Sequence, residues 1–150
     1  MKKLSIVLLL AAGCGHFGGH AMTPAEVSGF GTRAYDAPPT KVFKAVVQAL
    51  ELEGYKVPVQ NLEKGLVRTA RKVIRADAQG GYGYAVAVDV SRQYYVDLKQ
   101  DPSGKTVVIA QPRVYRGETD LSDGEVWVLE GADGERALWS KLFRDIGDQL

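Results

Sequence analysis

The sequence predicts an α+β fold, a two-layer sandwich in which two helices cover one face of a twisted, mainly antiparallel sheet. Two segments with helical apolar spacing, residues 38–55 and 131–150, are separated by four or five segments in which apolar residues alternate. Short turn sequences join these strands, whereas a parallel sheet would show regular alternation of strands and helices. We therefore expect one α+β domain, with bounds at residues 29–150.

The first two elements of this domain are predicted to be an edge strand and a helix. Residues 30–38, FGTRAYDAP, alternate weakly, as an edge strand can. In the helix, Thr40 is the expected N-cap, and apolar residues recur on one face: Phe43, Val46, Val47 and Leu50. Gly54 is expected to end the helix in the left-handed conformation, with Tyr55 packing back onto Leu50.

Residues 55–75 are predicted to form a hairpin. Tyr55, Val57 and Val59 alternate, and the turn sequence NLEKG leads into LVRTARKVI. Basic residues at helical intervals keep a helix open as the alternative for residues 66–75, but the β-branched residues and the preceding turn favour a strand. The next segment, RADAQGGYG, has the composition of a loop.

The second half of the domain is predicted to contain a longer hairpin, a short strand and a helix. The first strand of the hairpin runs from YAVAVDV through YYVDL, the second is KTVVIA, and DPSG, with Pro102 and Gly104, is the turn between them. Pro112 should end the second strand or place it at an edge. After the polar loop RGETDLSDGE comes the strand VWVL. The final helix should bury Leu138, Trp139, Leu142, Phe143, Ile146 and Leu150.

Residues 1–14 combine a basic start, an uncharged apolar run and small residues before a cysteine. The apolar run, residues 4–12, would rise only about 14 Å as a helix, less than half of a bilayer core. Its ending, LAAGC, resembles the lipobox of bacterial lipoproteins. The resemblance implies a signal peptide over residues 1–13 and an acylated Cys14 as membrane anchor. Because Gly15 rather than Asp follows, it also implies the outer membrane, with the domain facing the periplasm.

The positions of the histidines and the cysteine, together with the charge balance, limit the classes of function that the sequence allows. His16 and His20 both fall in the glycine-rich residues 14–28, which are predicted to be a flexible tether. The predicted domain then has no histidine or cysteine for nucleophilic catalysis or a zinc site, so we expect no enzyme, cofactor or metal. Without residues 1–13, which hold two of the 19 basic residues, 17 basic residues face 18 acidic ones. Bulk charge gives no reason to expect nucleic acid as a partner.

Two groups of side chains are candidates for a binding surface. The first is a row of basic residues, Arg68, Arg71, Lys72 and Arg75, which could meet lipid phosphates or an acidic partner. The second is a set of tyrosines, Tyr94, Tyr95 and Tyr115, which offer large contact area at low entropy cost. The alternatives are a solvated strand face with ordinary ion pairs for the basic row, and packing in the core or on the sheet for the tyrosines.

Three stretches, AYDAPPTKVFKAVVQALELEGYKV, LEKGLVRT and LWSKLFRDIGDQL, resemble domains of the BamC-type lipoproteins of outer-membrane β-barrel assembly. The resemblance implies a helix-on-sheet domain and, by analogy, a scaffold role. We therefore expect a non-catalytic, lipid-anchored binding module whose partner is another envelope protein. The alternative function is a periplasm-facing carrier or sensor that holds a small apolar or lipid ligand between helices and sheet.

Overall fold

The computed structural model describes residues 19–81, 83–122, 126–129 and 134–150. In chain order the elements of these residues are β1 (Gly19–Met22), α1 (Pro24–Phe30), β2 (Thr32–Tyr35), α2 (Pro39–Leu52), β3 (Val59–Asn61), β4 (Leu66–Arg68), β5 (Lys72–Gly81), β6 (Tyr84–Gln100), β7 (Thr106–Arg116), β8 (Thr119–Asp120), β9 (Val126–Leu129) and α3 (Glu135–Gly147).

An antiparallel sheet forms one layer of the fold. Its strand order is β2-β7-β6-β4-β3, and β5 pairs with the N-terminal part of β6 while β8 pairs with the end of β7. The strands β1 and β9 form a separate pair. Helices α2 and α3 pack on one face of the large sheet in a common core. The α+β fold class that the sequence predicts is confirmed, with α1 as an additional helix.

Helix α2 ends as predicted but begins differently. Gly54 has φ +78°, its N–H donates to the Glu51 carbonyl (2.9 Å), and the Tyr55 N–H donates to the Leu50 carbonyl (3.0 Å). These two bonds satisfy carbonyls that a helix end leaves free. The predicted N-cap at Thr40 is wrong, because Pro38 occupies the cap position and Thr40 lies inside the first turn. Proline at the first helical position explains the earlier start, since its fixed φ suits that position.

The segment after α2 is extended, and the strand prediction for residues 66–75 is confirmed with an interruption. β4 and β5 both pair with β6, and residues 69–71 between them belong to no strand. Thr69 bridges this gap: its hydroxyl accepts a hydrogen bond from the Tyr94 N–H (2.9 Å). The predicted loop over RADAQGGYG is wrong, because β5 continues to Gly81 and pairs with β6. Backbone pairing overrides a composition that is poor for strands.

The predicted tether is also corrected. Residues 19–30 form β1 and α1, and Met22 and Val27 lie in the main core. Helix α1 has a capping box, in which the Thr23 hydroxyl accepts from the Glu26 N–H and the Glu26 carboxylate accepts from the Thr23 N–H. The domain therefore begins by residue 19 rather than 29, and His20 lies in β1. The remaining predicted tether, residues 14–18, lies outside the described residues.

The long hairpin and the last helix agree with the sequence predictions. The Gly104 N–H donates to the Asp101 carbonyl (3.0 Å) in the turn between β6 and β7. β7 continues through Pro112, where β2 no longer lies beside it, so this proline sits at an edge as predicted. Trp139 of α3 is buried and its indole N–H donates to the Ala110 carbonyl (3.0 Å), which ties α3 to the sheet.

Candidate binding surface

The sheet has two chemically different faces. Alternate residues of β6 and β7, among them Val96 and Val108, point into the core under α2 and α3. The residues between them, including Tyr95 and Arg113, lie on the opposite face, because side chains alternate along a strand. We call this second side the open face. Over the middle of the sheet its polar and aromatic side chains are exposed or half-buried, except Ser91 and Tyr115, which are buried.

Two arginines sandwich one tyrosine at the centre of the open face. Arg68 on β4 stands directly opposite Tyr95 on β6, and Arg113 on β7 stands opposite Gln93, two residues along β6. The guanidinium carbons of Arg68 and Arg113 lie 4.7 and 4.9 Å from the centroid of the Tyr95 ring. Both distances are within the range of cation–π attraction. Tyr95 is therefore held between two planar cations from neighbouring strands.

A second stack of the same kind lies beside the first. The guanidinium carbon of Arg71, in the segment between β4 and β5, lies 3.6 Å from the centroid of the Tyr115 ring. Tyr115 is only 5% exposed, and its hydroxyl is 3.3 Å from Oε1 of Gln93, to which it donates. The two stacks share Gln93 as a neighbour, since Gln93 stands opposite Arg113. Together the stacks form a patch that we call the Arg–Tyr patch: Arg68, Arg71, Tyr95, Arg113 and Tyr115.

Each arginine of the Arg–Tyr patch also has a carboxylate partner. The N–O distances are 2.7 Å for Arg68–Asp97, 3.3 Å for Arg71–Glu118 and 3.1 Å for Arg113–Asp120. Burial acts to lower the pKa of Arg113, but Tyr95, Asp120 and Tyr115 outweigh it and raise that pKa, so the side chain stays charged. Counted together with these three carboxylates, the patch has no net charge, which is suited to protein contact rather than to trapping a free anion.

Three residues of the predicted surface lie elsewhere. Tyr94 is 2% exposed in the core, where its ring meets Tyr55 edge to face with centroids 5.3 Å apart. Lys72 lies over the Tyr55 ring, 5.0 Å from its centroid, and donates to the Glu53 carbonyl. Arg75 pairs with Asp77 at 3.1 Å. These three candidates therefore do not lie beside Arg68, Arg71, Tyr95 and Tyr115, because the break at residues 69–71 and the strand alternation separate them. For Tyr94 and Arg75 the structure shows the alternatives, core packing and an ordinary ion pair.

The sequence contained a signal for the residue that the prediction missed, Arg113. A turn at DPSG pairs Gln100 with Thr106, and the same register then sets Gln93 opposite Arg113 and Tyr95 opposite Gln111. Applying this register to the predicted hairpin would have placed Arg113 beside Tyr95 on one face. The contribution of Arg68 from β4 could not be found this way, since it depends on the pairing of two strands 28 residues apart.

Two surface clefts along α2 bear on the carrier alternative. One, of about 190 Å³, lies between the start of α2, the β3–β4 turn and the end of β6. The other, of about 410 Å³, is lined by Gln48, Glu51, Leu52 and Gln149. Sites for small apolar ligands are typically about 300–1,000 Å³ and mostly apolar. The first cleft is too small, and the second is an open depression lined mainly by exposed residues, which would not enclose such a ligand.

In comparisons with known proteins, no family model matches this chain and no curated protein matches it. Cys14 and the rest of the LAAGC sequence lie outside the described residues. Among the residues that the structure does describe, none of the helices has the length and apolar character needed to cross a membrane. Over the same residues there is no group of three or more histidine, cysteine or acidic side chains placed to hold a metal ion.

Proposed function

We propose that this protein is a non-catalytic, lipid-anchored binding module of the bacterial outer membrane, and that its open sheet face binds another protein of the cell envelope. The observation that carries the proposal is the Arg–Tyr patch, in which Arg68 and Arg113 enclose Tyr95 on a sheet face opposite both large helices. The LAAGC sequence supports the membrane anchor at Cys14 and the location on the periplasmic side.

The composition of the patch favours a protein partner. Tyrosine and arginine are enriched among the residues that contribute most to protein–protein binding. Stacking between strands already fixes the side chains of Tyr95 and Arg113, so that binding would cost little further side-chain entropy. Each guanidinium has five N–H donors. Arg68 uses three of them, for Asp97 and the Val67 and Val96 carbonyls, and Arg113 donates one to Asp120. The patch can therefore offer both a planar apolar contact and N–H donors to backbone carbonyls or carboxylates of a partner.

The position of the proposed anchor would strengthen such binding. Only four residues separate Cys14 from Gly19, where β1 begins. Even fully extended, this stretch spans about 18 Å at most. An acylated Cys14 would therefore keep the domain next to the membrane and raise its effective concentration toward membrane-bound partners.

Affinity isolation tests this function. The full-length protein is recovered from gently solubilised native membranes after brief cross-linking, beside the variants Tyr95→Ala and Arg113→Ala. We expect a stoichiometric envelope protein with the parent chain and a loss of at least about tenfold with either variant, as for residues at the centre of an interface. Lys44→Ala, on the exposed side of α2, is the matched control and should retain the partner.

Three results would count against the proposed function. They are recovery of the protein alone, equal recovery of the partner with all variants, and a small apolar molecule bound to the isolated protein. The last would favour the carrier. Circular dichroism of each variant distinguishes a lost contact from a lost fold.

A further inference from the structure

The N-terminal part of β6 extends beyond the rest of the sheet as one strand of a hairpin arm. β6 pairs with β7 only from Val90 onward, whereas it pairs with β5 from Tyr84. The arm therefore consists of two strands, residues 76–81 and 84–89, and is about 20 Å long. Residues 84–87 are exposed, with Tyr84 and Val86 at 70% and 56%, and Val88 is half-buried. A two-stranded ribbon with exposed apolar side chains is marginal in water by itself.

The outer edge of this arm presents backbone groups that pair with none of the described strands. Even-numbered residues of β6 point toward β4 and β5, as shown by the Leu98 N–H, which donates to Gly65, and by the Tyr94 carbonyl, which accepts from Thr69. Odd-numbered residues point toward the β7 side, where the Asp89 carbonyl accepts from the Gly117 N–H. Ala85 and Ala87 therefore direct their N–H and C=O groups to an edge on which no described strand pairs.

This edge also lacks the features that normally prevent strand pairing. Sheet edges are usually protected by charged side chains, proline or bulges. The β7 edge has Pro112, and β5 carries the Arg75–Asp77 ion pair where the arm begins. Residues 84–88, YAVAV, contain no charge and no proline.

We propose that the outer edge of β6 at Tyr84–Val88 pairs antiparallel with the same segment of a second copy, on a two-fold axis at Val86. In this register Tyr84 faces Val88 of the second copy, and Ala85 exchanges hydrogen bonds in both directions with Ala87 of the second copy. The register keeps the larger side chains on one face and the alanines on the other, as the pleat requires. It also makes cross-strand pairs between an aromatic and a β-branched residue, which stabilise sheets.

A second copy fits this edge better than an unrelated strand does. The five-residue segment is uncharged and alternates symmetrically about Val86, so each copy provides the uncharged, alternating strand that the other lacks. A two-fold pairing also closes both free edges at once, and no further copy can add there. The result is a four-stranded sheet formed by two arms, on a surface separate from the Arg–Tyr patch.

Disulfide trapping tests the register. Val86 would form a non-hydrogen-bonded pair with its counterpart, at a Cα–Cα distance of about 4.5 Å, which a disulfide can bridge. Ala85 would lie diagonally from its counterpart, at about 8 Å, which is too far for a disulfide. The full chain with Cys14→Ala has no native thiol, so each added cysteine is the only one. We expect Val86→Cys to form at least about ten times more disulfide-linked dimer than Ala85→Cys under mild oxidation.

A second variant tests the edge without any added cysteine. Ala87→Pro removes one outward N–H and leaves the β5–β6 ladder intact, because even-numbered residues make that ladder. Sedimentation of the full chain should show a dimer for the parent and a monomer for this variant, with unchanged circular dichroism. Equal trapping of Val86→Cys and Ala85→Cys, or a monomeric parent, would overturn the proposal. So would Val86→Cys that becomes linked to a different protein.

Discussion

Tyr35 connects the edge strand β2 to the C-terminal helix. Its hydroxyl donates a hydrogen bond to the Phe143 carbonyl of α3 (2.8 Å), and its ring packs against the main core. Burial of the hydroxyl raises the pKa of Tyr35, and the nearby charge of Arg33 offsets this only in part. The folded state therefore holds the phenolic proton more tightly than the unfolded chain does.

This raised pKa predicts a specific loss of stability at alkaline pH. The contribution of Tyr35 is complete below the pKa of a tyrosine in the unfolded chain, about 10, and is lost as pH rises toward the higher folded value. Tyr35→Phe should cost about 0.5–1.5 kcal/mol at pH 8 through the lost hydrogen bond. The difference in free energy of unfolding between the parent and the variant should become smaller above about pH 10. Urea unfolding midpoints at a series of pH values measure this, and a constant gap would contradict it.

At the scale of single residues, the sequence indicates which kinds of side chain could bind a partner, but not on which face of the sheet each one lies. The chemistry of tyrosine makes Tyr95 and Tyr115 binding candidates, and both lie on the open face. Tyr94, adjacent in sequence to Tyr95, lies in the core, because one step along a strand changes the face. The faces of β6 could be assigned only from the helices that cover one of them, which is a tertiary property.

At the scale of elements, local signals explain which predictions succeeded. Helix α2 and the β6–β7 hairpin have strong local signals, namely an apolar stripe with a terminal glycine and a turn with proline and glycine. The strand β5 ends in glycine-rich sequence and is stabilised by pairing with β6, so its composition suggested a loop. Helix α1 has only seven residues, and its capping box lies in a stretch rich in glycine and small residues, so the composition of that stretch favoured a tether over a helix.

The packing of α1 gives a prediction about this element. Val27 is 7% exposed in the main core, whereas its neighbour Ser28 is exposed. Val27→Ala should lower the free energy of unfolding by about 1–3 kcal/mol, because it removes buried apolar groups and leaves a cavity. Ser28→Ala, the matched control, should change it by less than about 0.5 kcal/mol. Chemical denaturation measures the free energy of unfolding of both variants. Equal values for Val27→Ala and Ser28→Ala would show that residues 24–30 behave as a tether and not as a packed helix.

At the scale of the whole molecule, the hydrophobic core and the proposed binding surface lie on opposite faces of the sheet. The helices and one sheet face form the core, while the opposite face carries paired charges and stacked tyrosines. The side-chain charges of the chain nearly balance, and each arginine of the Arg–Tyr patch has an acidic partner. Recognition by such a face depends on shape and on local hydrogen bonding more than on long-range attraction, so its binding should change little with moderate salt.

The most direct test of the central claim is photo-cross-linking in intact cells. A photoreactive amino acid is placed at Gln111, which is exposed on the open face opposite Tyr95, and in a second strain at Lys44 on the helix side. We expect one discrete cross-linked envelope protein from position 111, and none from position 44. Cross-links from position 44 alone, or none from position 111 while the protein is folded and membrane-bound, would contradict the assignment of the open sheet face as the binding surface.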